Sequence, residues 1–102
     1  MTVFIVQEIP GRDLSAASEF GDLKILVRAK DQINEDSKEV TEHISKMLWH
    51  FDSDVDYLLL SGDPVAIAIA CSIASDETNG VYQVLKWDRL KEKYYPVIID
   101  IN

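Results

Sequence analysis

The chain has one cysteine, Cys71, so no disulfide can form within it, and its four glycines stand singly. Neither the glycine-rich dinucleotide fingerprint nor the P-loop pattern occurs, and there is no G-x-S-x-G nucleophile elbow. Long hydrophobic runs are absent too. The longest, Pro64–Cys71, falls far short of the ~20 residues that span a bilayer. The opening residues, MTVFIVQEIPGRD, lack the basic segment and apolar stretch of a secretory signal. These absences predict a reducing, cytoplasmic setting, no membrane association and no cofactor. Positive charge is also scarce: 18 acidic residues face 10 basic ones, for a formal net charge of −8. Such a surface repels free nucleic acid and acidic lipid, and favours a basic protein partner or simple solubility.

What the chain does hold is ordinary globular material. Of its 102 residues, 47% are hydrophobic and 27% charged, enough for one packed core. Residues 1–102 read as one domain.

Hydrophobic patterning gives the elements. Val3–Val6 is a short apolar run typical of a strand covered on both faces. Pro10-Gly11 turns the chain, and Asp13–Phe20 has the composition of a short helix or turn stopped by Gly21. Leu23–Ala29 reads as a second strand. Asp36 and Glu39 have capping-box spacing, and Val40, Ile44, Met47, Leu48 and Phe51 then mark one buried helical face. Tyr57–Leu60 is a second wholly apolar strand. Asp63-Pro64 opens another helix, with Asp63 as N-cap and Pro64 at the first helical position, running to about Ser75. Val81–Trp87 and Tyr94–Ile101 close the chain as a hairpin, with Pro96 marking the last strand as an edge. The order β-α-β-α-β-α-β-β predicts a small three-layer α/β fold with a mostly parallel sheet and a C-terminal antiparallel hairpin.

Open parallel sheets bind ligands beyond the carboxyl ends of their strands. That places a candidate crevice at Arg12 and Asp13, near Gln7-Glu8, and at Ser61, Gly62 and Asp63. A phosphate is a poor fit for the second loop, because Asp63 puts a carboxylate there and Pro64 removes an N–H. A well-capped helix start explains it more simply, and a hydroxyl-rich or cationic ligand is the functional alternative. Asp52, Asp54 and Asp56 resemble the start of a calcium loop, but Tyr57 stands where that loop needs glycine, so no metal site is expected. His43 and His50 are two helical turns apart, about 10 Å, too far to share an ion by themselves. Cys71, among Ile69, Ala70 and Ile73, reads as a buried small hydrophobe and no catalytic residue is expected.

Two features suit a protein contact. Trp49 lies opposite the buried stripe of its helix, so either the Lys30–Asp36 loop covers it or it faces outward. The helix beginning at Pro64 is apolar or small all round, with Ile67 and Cys71 on the side away from Val65, Ile69 and Ile73. That second side suggests packing against a neighbour or a second subunit, making a homodimer one reading.

The segments GRDLS at Gly11, DYLLLSGDPVAIAIACSIASD from Asp56, and the closing VLKWDRLKEKYYPVIIDI resemble a group of small proteins encoded by tailed bacteriophages. The resemblance spans most of the chain and brings no catalytic residue with it. It implies expression inside an infected bacterium. The expected function is that of a non-enzymatic accessory protein binding, and modulating or inhibiting, a host or phage protein. The alternative is a small-ligand binder or minor enzyme using the crevice.

Overall fold

The computed structural model describes residues 1–102. Its elements run β1 (Thr2–Gln7), a 3-10 helix (Ser15–Phe20), β2 (Asp22–Val27), α1 (Lys38–Met47), β3 (Tyr57–Leu59), α2 (Pro64–Glu77), β4 (Val81–Asp88) and β5 (Lys93–Asp100). They build one five-stranded sheet in the order β2-β1-β3-β4-β5. The first four strands are parallel, and β5 pairs antiparallel with β4 at the edge. The two wholly apolar runs of the sequence are thus adjacent central strands, with Val3 opposite Tyr57 and Ile5 opposite Leu59.

Handedness decides which face each connection crosses. A right-handed crossover to a neighbour on one side passes over one face, and a crossover to the other side passes over the opposite face. From β1 the chain steps to β2, whereas β2 to β3 and β3 to β4 step the other way. So α1 and α2 share one face, and the other receives only the β1–β2 connection, residues 8–21. That connection is too short for a long helix with its loops, and it forms the 3-10 turn instead. Three layers result, the third being thin.

Two apolar cores follow. On the helix side Phe4, Val6, Leu26, Leu58, Tyr82 and Val84 pack under Ile44, Leu48 and Phe51 and under Ala66, Ala70 and Ala74. Full burial of Ile44 or Leu48 is worth about 2 kcal/mol each. On the other side Val3, Ile5, Leu59, Leu85 and Tyr94 pack on Leu14 and Ala17.

The helix starting at Pro64 is not buried all round. Its alanine stripe, spaced four residues apart, lets the backbone lie close to the sheet, while Val65, Ala68, Ser72 and Asp76 face solvent. Ile67 and Cys71 flank the stripe, half-buried against the same core. Several boundaries also differ from the sequence reading. The helix of residues 38–47 forms no capping box: Asp36 instead accepts the Lys38 N–H at 3.0 Å, and Ser37 occupies the cap position without its side chain capping a backbone N–H. This helix also stops short of Phe51, the last residue of the expected face: it ends at Met47 with Leu48 as its cap, and His50, at φ +69°, takes the chain out of the helical repeat. The strand read as Leu23–Ala29 starts one residue earlier and stops at Val27, where Glu8 N–H bonds the Val27 carbonyl and the loop begins.

Candidate functional site

The strand order reverses between β1 and β3, and the carboxyl ends of these strands are where a ligand crevice is expected. The protein fills that crevice itself. Gln7, at the end of β1, is buried, and its side-chain amide reaches two loops, the one after β2 and the one after β3. Its Nε2 donates to the carbonyls of Arg28 and Asp31 at 3.3 and 3.2 Å, and its Oε1 accepts the Asp63 N–H at 2.7 Å. The Ser61 hydroxyl donates to the Gln7 carbonyl at 2.7 Å. Gly62 adopts φ +90°, and a Cβ there would lie 2.4 Å from the Gln7 side chain. Gly62 and Asp63 therefore belong to a self-satisfied junction. Asp63 also accepts the Val65 N–H at 2.8 Å, which makes it the N-cap its sequence context predicts.

The open cavity lies one strand over. It holds about 670 Å³ and is walled by the Arg12–Leu14 loop, the end of β3 through Ser61, and the β4–β5 hairpin. Its existence follows from strand lengths. Pairing of β3 with β4 ends at Leu59–Leu85, whereas β4 pairs with β5 as far as Asp88–Lys93, so the hairpin overhangs the sheet. Of the residues expected at the crevice, Arg12, Asp13 and Ser61 line this cavity, while Gly62 and Asp63 do not. The residues that composition could not bring here are Lys86, Trp87, Arg89 and Tyr94, set about 70–80 positions away from Arg12 and delivered by the hairpin.

Nine of the cavity's 14 lining residues are hydrophobic. Trp87 is half-exposed and meets the buried ring of Tyr94 edge-on, with centroids 4.8 Å apart. Burial holds the Tyr94 phenol above its ordinary range; the Arg12 charge pulls it back and the Asp13 carboxylate pushes it up. The Asp13 carboxyl is held below its usual range by the hydroxyl and N–H of Ser15, the latter donating at 2.9 Å. Asp13 is thus a fixed anion serving the turn that follows it.

The remaining sequence candidates lie elsewhere. Trp49 is 67% exposed, past the end of α1, with the ring of His50 edge-on at 5.6 Å. The Lys30–Asp36 loop does not cover it. Asp52 and Asp56 spend their carboxylates on backbone donors: Asp54 N–H on the first, Thr2 and Asp52 N–H on the second. That ties the loop before β3 to the start of β1. Burial raises the Cys71 thiol and keeps its proton on sulfur, although the Tyr82 hydroxyl beside it pulls the other way.

No helix is long and apolar enough to cross a membrane. No curated protein and no solved structure matches the chain. A family profile, described as Phage Pam3 gp32-like protein, matches residues 1–101, nearly the full length. The chain therefore belongs to the Phage Pam3 gp32-like protein family.

Proposed function

We propose that this phage protein is a non-enzymatic accessory factor that works by binding another protein, of the host or of the phage, and altering its activity. The observation that carries this reading is Trp49. An aromatic side chain that its own fold leaves two-thirds exposed is the residue type that anchors protein contacts most often. Exposed apolar side chains also occur elsewhere, on the hairpin and edge strand, at Leu90, Val97 and Ile98. The edge strand β5 also offers eight residues with one row of backbone groups unpaired, interrupted by Pro96. The acidic balance of the chain, −8, suits a basic partner. Ile67 and Cys71, half-buried on α2, contribute less to such a contact than Trp49.

Affinity capture from infected-cell lysate, run in parallel with wild type and Trp49→Ala, tests this. The expected result is a partner retained by the wild type and depleted at least tenfold by the variant, whose melting temperature is unchanged. Sedimentation at rising concentration separates self-association from a foreign partner. Equal retention by both proteins, with a monomer throughout, defeats the reading.

A further inference from the structure

The cavity beneath the hairpin has a charge that the chain as a whole does not. Ten basic residues are outnumbered by 18 acidic ones over the whole sequence, yet the cavity is lined by Arg12, Lys86 and Arg89 against the single carboxylate of Asp13. None of the three cations is in an ion pair; the one salt bridge of the fold joins Arg28 to Asp31. Asp13 is turned to the Ser15 N–H, and Asp88, which precedes Arg89 in the hairpin, accepts the N–H groups of Leu90 and Lys91. Both carboxylates close turns rather than neutralise the cations. Arg12, Lys86 and Arg89 are all exposed and in no ion pair, so the surroundings of this apolar hollow carry a local positive charge that suits an anion.

The rest of the hollow states what the anion is attached to. Its lining is predominantly apolar, and its two aromatic rings, Trp87 and Tyr94, meet edge-on in the wall. A volume of about 670 Å³ is that of a site for a small molecule. We propose that this cavity is a binding site for a small amphipathic anion: an aromatic or aliphatic body seated against Trp87 and Tyr94, with a carboxylate or phosphate head reaching Arg12 and Arg89. Arginine forks suit both heads, because each presents paired oxygens. The site is independent of the Trp49 contact, since Trp49 does not line the cavity. Either reading can fail alone.

The test uses the full chain and four probes with one ring system: 2-naphthoate, 2-naphthyl phosphate, neutral 2-naphthamide and cationic 2-naphthylmethylammonium. Amide, indole and arginine side-chain resonances report where each binds. Expected is saturable binding of the two anions, with shifts centred on Arg12, Trp87 and Arg89. The amide should bind roughly tenfold more weakly, the value of a lost charge-assisted contact, and the ammonium more weakly still. Whichever anion binds tighter names the head group. Arg12→Gln and Arg89→Gln should each weaken the anions about tenfold and leave the amide unaltered, a pattern that misfolding cannot mimic. Equal affinity for anion and amide, shifts centred on Trp49 or Ile98, or no saturation at millimolar probe overturns the proposal. So does binding by a peptide ending in an aromatic residue and a free carboxylate when the naphthyl anions do not bind.

Discussion

Gln7 and Asp63 are joined by a 2.7 Å hydrogen bond, Asp63 N–H to Gln7 Oε1, across the place where the sheet's strand order reverses. One side chain thereby occupies the position at which related architectures receive a ligand. The same amide ties the β1, β2 and β3 ends together through Arg28, Asp31 and Asp63.

Removing that amide should be costly. Gln7→Ala strands one N–H and two carbonyl groups, and unfolding in urea should show a loss of about 2–3 kcal/mol. Gln7→Glu keeps the acceptor for Asp63 but faces two carbonyl oxygens with a carboxylate. Its folded pKa should rise above the ordinary ~4.3, so the variant's stability falls as pH climbs through and beyond that value. A deficit independent of pH would show that the side chain swings out to water.

Gly62 and Gly11 share a positive φ, +90° and +74°, but differ in space. Nothing lies within 4 Å of a Cβ at Gly11, whereas one at Gly62 would strike Gln7 at 2.4 Å. Gly11→Ala should cost about 1 kcal/mol, from backbone conformation alone. Gly62→Ala should cost about 1–3 kcal/mol more, from the clash added to it. Melting curves of the two variants compare them directly.

Asp63→Ala should lower stability by about 1 kcal/mol, and Asp63→Asn by only a few tenths, because Asn accepts the Val65 N–H equally well. Equal damage from both in denaturant titrations would assign Asp63 a role beyond its cap.

Tyr82 lies buried beside Cys71, and burial first, then the neighbouring thiol, pushes its phenol up to about 12. A phenol raised in the fold favours the folded state fully below its unfolded value near 10. That contribution is lost as pH rises from about 10 toward 12. Ultraviolet titration should show Tyr82 ionising last, together with unfolding. In Tyr82→Phe the alkaline limit should move upward.

Much of this architecture is legible in residue order. The apolar runs at Val3 and Tyr57 carry no polar alternation, so both faces have to be covered, and central parallel strands follow. Asp63-Pro64 announces the start of α2, and Asn79-Gly80, both at positive φ, its end. Helix α1 departs from its pattern at both ends. Capping-box spacing at Asp36 competes with a local bond to Lys38 N–H, and a left-handed His50 leaves no compositional mark. Counting alanine as apolar also makes α2 look buried all round, when its alanines mark only the side laid on the sheet.

Residue order alone was enough for the elements, their parallel pairing and the cap at Asp63, because hydrophobic period and turn chemistry act over a few residues at a time. Which loops meet was settled by the three-dimensional packing. It closed the crevice at Gly62 with Gln7, and it opened a cavity between Arg12 and the far hairpin that carries Lys86, Trp87 and Arg89. Both outcomes depend on strand order and on how far β4 outruns β3, long-range geometry that no local pattern encodes.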